Sequence, residues 1–257
     1  MVRIGEDRHM RATVGVTGED PGEGSRIWGE GDRDLPAEFH DLMVRMLTYH
    51  IENDSNPHYH DLLGMLGDRC RRFAPDERTG ASLERLMGQE WEHGQINDRI
   101  LKGLGVQKVT RPIEQYAFRL PINTFCDLAM FHGLIDRVGC YIGETWEGVP
   151  YRPLLEVAPR LHREEVFHAT LGMRNLRLIV STPDGLAEAN ELIVKWWPAA
   201  LDMFGRSDSE FGDEYVRWGI RQKNNADLRR QYTEDTRPLL EELGIAVPEN
   251  RLNRRFL

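Results

Sequence analysis

Apolar residues along this chain recur at helical spacing. After Pro36, a favourable first-turn position, Phe39, Leu42, Met43, Met46 and Leu47 follow at three- and four-residue intervals, the stripe of an amphipathic helix. The same pattern predicts helices over about Pro75–Leu104, ended by Gly103 and Gly105, and over Ile122–Glu144, closed by Gly148 and Pro150. A fourth covers Tyr151–Val180, stopped by Thr182-Pro183, and shorter ones are expected near 185–204, 211–222 and 225–243. Alternating β-branched runs bounded by Asn-Gly or Asp-Gly turns are absent. The expectation is an all-α protein: a four-helix bundle with additional C-terminal helices. Residues 1–34, rich in Gly, Asp, Glu and Arg, offer little to bury and read as a flexible N-terminal arm ahead of one helical domain over 35–257.

Two of the helices carry the same polar interruption. Glu90-Trp-Glu-His93 and Glu165-Val-Phe-His168 each place a carboxylate and an imidazole one turn apart on one face. A single Glu-x-x-His arises by chance about once in a chain of this composition. Register makes the pair informative. An offset of 75 relates the two motifs, and it also relates Asp61 to Asp136, Gly64 to Gly139, Pro75 to Pro150 and Leu86 to Leu161. A duplicated helical hairpin accounts for this. Two such hairpins packed about a pseudo-twofold bring four carboxylates and two imidazoles to one bundle centre, the donor set of a di-iron carboxylate site. Those carboxylates neutralise and bridge two divalent ions, while two histidines leave positions open for O₂. Without a cation, burial of six such groups would be strongly destabilising.

Five donors follow from the repeat: Glu90, His93, Asp136, Glu165 and His168. For the first-helix carboxylate, one continuous helix from Pro36, kinked at Pro57, puts Glu52 about 180° from the Met43 face and Asp61 back near 0°. The repeat selects Asp61, with Asp54 next and Glu52 third. His50, His58, His60 and His132 read as supporting or surface groups, and the tryptophans as packing. Glu92 and Glu164 point about 100° away from the ligand face, solvated or paired. Arg71, Arg72, Lys102 and Lys108 form a solvated face, the alternative being a receiver for an anionic substrate handle.

Composition narrows the class. The 257 residues are 40% hydrophobic and 29% charged, a globular balance. No run approaches the roughly 18 apolar residues of a membrane span, and Met1–Ala12 lacks the apolar core of a secretory signal. Three cysteines without a CxxC pattern suit a reducing cytoplasm. A net charge of −9 argues against nucleic acid as partner.

At these residues the chain resembles the catalytic subunits of bacterial phenylacetyl-CoA epoxidases, ferritin-like di-iron monooxygenases of phenylacetic acid catabolism. The resemblance is carried by Asp61-Leu-Leu-Gly-Met65, Phe73-Ala-Pro75, Glu90-x-x-His93-Gly94, Asp127, Gly133-Leu-Ile-Asp136 and Glu164-Glu165-Val-Phe-His168. Beyond them it includes Trp196-Trp197-Pro198, Met203-Phe204-Gly205, Asn225-Ala-Asp-Leu-Arg-Arg230, Thr236-Arg-Pro238 and Leu243 to Pro248, and it spans about Pro36 to Asn253. It implies a ferritin-like fold, two iron ions held by Asp61, Glu90, His93, Asp136, Glu165 and His168 (a set that also suits manganese), and O₂-dependent epoxidation or hydroxylation. The implied substrate is an aromatic acyl-CoA or a similarly tethered aromatic. An external reductase and a ferritin-like partner subunit or a homodimer are implied as well. The alternative is that this chain is itself the non-catalytic partner subunit of a multicomponent oxygenase. Three departures stand out: Asp61 where the family has Glu, about two extra helical turns around Asn53–His60, and an end at Leu257 where family members continue.

Overall fold

The computed structural model describes residues 26–256, so the first 25 residues of the expected arm lie outside the described part. Helices α1 (Ala37–Tyr49), α2 (Pro57–Phe73) and α3 (Glu77–Gly103) open the fold. A 3₁₀ turn at Tyr116–Arg119 leads to α4 (Phe125–Met130), a π-helical turn (Phe131–Asp136) and α5 (Arg137–Trp146), which run on as one rod. Then come α6 (Arg152–Leu155), α7 (Ala158–Ile179), α8 (Pro183–Asp202), α9 (Glu210–Arg217) and α10 (Asn225–Glu242). Among the described residues the extended structure is limited to an isolated bridge between Trp28 and Tyr151. The fold is the all-α, ferritin-like bundle expected: α2, α3, the α4–α5 rod and α7 form the bundle, and α8 to α10 pack outside it. None of the described helices is long and apolar enough to cross a membrane.

Local chemistry sets the boundaries. Asn56 caps α2 by accepting from the His58 amide, with Pro57 in the first turn. Asp76 caps α3 through Thr79 N, and Thr182 caps α8 through Gly185 N ahead of Pro183. The π turn and α5 pack most extensively on α7. Gly133 and Gly172 make that approach possible, since a Cβ on Gly172 would overlap the Gly133 backbone. Trp196 and Trp197 are fully buried between the bundle and the outer helices, and the Trp196 Nε1 donates to Asp127 Oδ1 at 2.9 Å.

Two sequence expectations need correction here. First, α1 and α2 are separate helices. The backbone leaves the helix at His50, and Asn53 turns inward to donate to the carbonyls of Leu47 (3.2 Å) and His50 (2.6 Å) at the end of α1. Proline at 57 then starts a new helix instead of kinking the old one. Second, the described end of the arm, residues 26–34, is docked. Trp28 N donates to Pro150 O (3.1 Å), Arg152 N donates to Trp28 O (2.8 Å), and the indole lies 4.7 Å from the Phe39 ring. One large aromatic supplies the burial that the surrounding polar residues cannot.

Candidate metal centre

Two acid–imidazole groups face each other in the bundle centre. One joins Glu52, His93 and Glu165, the other Glu90, Asp136 and His168, and in each a ligand atom from every member lies within 4.8 Å of the others. The five donors expected from the repeat therefore converge. Each inward Nδ1 sits closest to the carboxylate of the other motif: His93 Nδ1 is 3.3 Å from Glu165 Oε1, and His168 Nδ1 is 3.1 Å from Glu90 Oε1. Glu165 Oε1 is also 3.8 Å from His168 Nδ1, so this one oxygen lies between the two groups. The imidazole rings are 5.8 Å apart.

The sixth carboxylate is Glu52, and Asp61 is not brought in. Asp61 lies on the exposed face of α2, and Asp54 bends away, with its amide donating to Gly94 O. Counting 100° per residue from Met43 to Asp61 fails because the chain is not helical between His50 and Asn56, and the phase is lost there. Glu52 stands on that loop, three residues past α1, with His93 Nδ1 at 3.7 Å from its Oε1. A signal for it existed in the sequence. Aligning Glu52 with the family's glutamate removes both the change of residue type and the apparent two-turn insertion that Asp61 required.

Backbone contacts aim these side chains. Asn97, one turn beyond His93 on α3, donates to Leu47 O (3.2 Å) and Glu52 O (2.8 Å) and pins the loop. Tyr59 OH donates to Glu90 O at 2.6 Å. Gly139, one turn beyond Asp136, leaves the space filled by the Glu165 carboxylate, which a Cβ there would overlap. Asp136 closes the π-helical turn, a distortion that recurs at functional sites.

Outer contacts fix the imidazoles. His93 Nε2 donates to Glu164 Oε2 at 2.9 Å, and His168 Nε2 donates to Gln89 Oε1 at 3.1 Å. A carboxylate only accepts, so Nε2 of His93 carries a proton, and Nδ1 is the nitrogen aimed at the centre. Both Nδ1 atoms are fully buried and lack an aligned hydrogen-bond partner among the described residues. Glu164 is paired, accepting from Arg160 Nε at 3.0 Å. His50 Nε2 donates to Glu52 Oε2 (2.9 Å), and His132 Nδ1 donates to Asp136 Oδ2 (2.6 Å). These two are supporting groups as expected, whereas His58 and His60 are exposed.

The electrostatics show how short of positive charge the centre is. Burial works against a charged His93, yet Glu52 and Glu165 overcome it and lift its pKa to about 12. The same contest, with Glu90 and Glu165 prevailing, lifts His168 to about 9. Burial, then repulsion from Glu90, pushes Asp136 well above the carboxylate range, and burial also raises Glu165. Glu52 is held well below it, because His50 and His93 outweigh its burial. Four carboxylates in one buried site need cations between them. Two inward Nδ1 atoms, without an aligned partner among the described residues and set beside four carboxylates, fit a pair of divalent metal ions that would take the place of the protons.

The centre opens on a cavity of about 450 Å³ whose walls include Glu52, Glu90, Asp136 and Glu165, with Phe131, Ile135 and Trp146 beside them. Its lining also includes Arg45, Arg111, Arg206 and Arg221. Arg71, Arg72, Lys102 and Lys108 are not part of it; Lys102 pairs with Asp98 at 2.8 Å. The Arg221 Nε is fully buried without a hydrogen-bond partner among the described residues, and burial lowers the pKa of this guanidinium.

The chain is 24% identical over 233 residues to one of the subunits of 1,2-phenylacetyl-CoA epoxidase from Escherichia coli (strain K12), an alignment covering 85% of this chain and 72% of that one. A model of the phenylacetic acid catabolic protein family matches residues 92–255, a span that includes His93, Asp136, Glu165 and His168. With its helical bundle and its paired acid–imidazole centre, the chain belongs to the phenylacetic acid catabolic protein family.

Proposed function

We propose that this chain is a catalytic oxygenase subunit: Glu52, Glu90, His93, Asp136, Glu165 and His168 hold two iron ions, and the reaction is O₂-dependent epoxidation or hydroxylation of a tethered aromatic acyl group. The observation carrying this reading is the pair of buried Nδ1 atoms of His93 and His168, without an aligned partner among the described residues, beside four carboxylates on the wall of a largely apolar cavity. A complete donor set favours a catalytic over a partner role. Iron held by these residues would supply the redox chemistry for a monooxygenation in which O₂, two electrons from a reductase and two protons give one oxygen atom to the substrate and one to water. The protein's share is positioning and exclusion. Phe131, Ile135 and Trp146 offer an apolar wall for an aromatic ring beside the centre. Arg221, a cation lining the cavity whose Nε has no partner among the described residues, suits the anionic end of a thioester such as a CoA phosphate. The relative belongs to an epoxidase of several components, and the same arrangement is proposed here, with a cytoplasmic reductase and a partner subunit.

The test is reconstitution. Protein loaded anaerobically with Fe(II) is expected to hold about two irons per chain. With an electron donor, O₂ and phenylacetyl-CoA it should yield a product heavier by one oxygen, and Arg221→Gln should raise KM for that thioester about tenfold or more with kcat little changed. Two irons without product would remove the substrate assignment. A chain that takes up no iron would be the non-catalytic partner.

A further inference from the structure

The two acid–imidazole groups are built alike at their carboxylates and unlike at their imidazoles. On the Glu52 side the outer carboxylate oxygen accepts from His50 at 2.9 Å; on the Asp136 side it accepts from His132 at 2.6 Å. Each imidazole is held at Nε2 by the residue preceding the glutamate of the opposite motif. For His93 that residue is Glu164, a carboxylate at 2.9 Å. For His168 it is Gln89, a neutral amide at 3.1 Å. Glu164 and Gln89 occupy matching places in the two copies of the repeat, 75 positions apart, so the difference is one of side-chain chemistry at an otherwise equivalent position.

This difference bears on cation affinity. A carboxylate accepting the Nε2 proton draws it away from the ring, making Nδ1 a stronger donor and holding the ring in the metal-ready tautomer; partners of this type change metal affinity by about 10–100-fold. An amide oxygen aligns the ring without the anionic charge. Arg160 does not cancel the effect, because this one guanidinium serves both Glu164 and Glu92 and leaves the trio with a net negative charge.

We propose that the two metal positions are unequal and fill in order, the Glu52–His93–Glu165 position before the Glu90–Asp136–His168 position, because Glu164 backs His93 where only Gln89 backs His168. The inference rests on the dinuclear reading above and goes beyond it. A centre of this kind passes through a one-metal state with a defined address. Glu165, whose Oε1 lies between the two imidazoles, is then engaged by the first ion and presented ready-placed to the second.

Cobalt(II) is a suitable probe, since its visible absorption and its binding heat both report on inner-sphere nitrogen and oxygen donors. Titration of the metal-free full chain is expected to give two steps separated by about 10–100-fold in affinity. Crystals given one equivalent should show anomalous density at Glu52, His93 and Glu165 alone. Gln89→Glu is expected to tighten the second step about tenfold with the first unmoved, and Glu164→Gln to weaken the first until the steps merge. The second variant decides the matter if the first fails to fold by circular dichroism. Equal filling of both positions in the parent protein, or a folded Gln89→Glu chain with an unmoved second step, overturns the order while leaving the dinuclear reading intact. A parent chain that binds no cobalt at all overturns that reading itself.

Discussion

Glu52 and Asp61 are nine positions apart, and only one of them meets an imidazole. Glu52 is largely buried with His50 at 2.9 Å and His93 at 3.7 Å, while Asp61 faces solvent on α2. A cation held by Glu52, His93 and Glu165 loses one of two charged donors in Glu52→Gln, so that variant is expected to weaken one metal position by at least about tenfold and spare the other. Asp61→Asn should retain both. Metal content after gel filtration, read by mass spectrometry, checks the pair; loss of metal in Asp61→Asn with full retention in Glu52→Gln would put Asp61 in the place of Glu52. Four of the other proposed donors, Glu90, His93, Glu165 and His168, were legible because they lie on α-helices where the 75-residue offset and the 3.6-residue period both apply. Asp136, at the end of the π-helical turn, was reached through the offset alone, from a partner, Asp61, that stays outside the centre. Glu52 was not legible, because a loop residue has no period. Its place is set by Asn53 and Asn97, whose side chains find backbone carbonyls that no pattern of apolar residues reveals.

Among the elements, the helices with strong stop signals were read closely. The stretch expected at Pro75–Leu104 is α3, Glu77–Gly103, bounded by the Asp76 cap and by Gly105 at φ 87°. Thr182-Pro183 and Asn224 likewise mark where α8 and α10 begin. Two junctions were misread: the helix expected over Tyr151–Val180 is interrupted at 156–157 between α6 and α7, and at α1 to α2 an apolar stripe continues on both sides of a turn and resembles one kinked helix. The π-helical turn was also invisible, since it shifts hydrogen bonding without a change in composition. The α1–α2 loop matters because it delivers a carboxylate, and its anchor is on α3. Asn97 is buried and reaches the carbonyls of Leu47 and Glu52 and the Asn53 Oδ1 at 3.2 Å. Asn97→Ala leaves buried acceptors unpaired at a cost of about 1–3 kcal/mol. It should also let the loop drift, so that thermal stability and affinity at the Glu52 position fall together. A variant that loses stability while binding metal as before would make Asn97 a purely structural residue.

For the molecule as a whole, the centre is an electrostatic liability until cations fill it, and that sets a sign for pH dependence. In the metal-free chain His168 titrates at about 9 instead of its ordinary 6.5, as Glu90 and Glu165 overcome its burial, and His93 is raised to about 12. A folded-state pKa above the unfolded one means the folded chain binds more protons, so the stabilisation is complete below 6.5 and is lost as pH rises towards 9. Asp136 and Glu165, both raised, act in the same direction. Glu52, held low by His50 and His93 against its burial, acts in the opposite direction only on the acid side, where its protonation would withdraw a stabilising charge. The metal-free protein is therefore expected to melt at progressively lower temperature between pH 6.5 and about 9. Metal ions held as proposed would replace those protons: they would bind the deprotonated donors, so their affinity should grow as pH rises through the same interval. Melting curves recorded with and without chelator across that range should diverge, the gap widening towards the alkaline end. Parallel curves would mean that the carboxylates and imidazoles do not share the cation-binding role assigned to them.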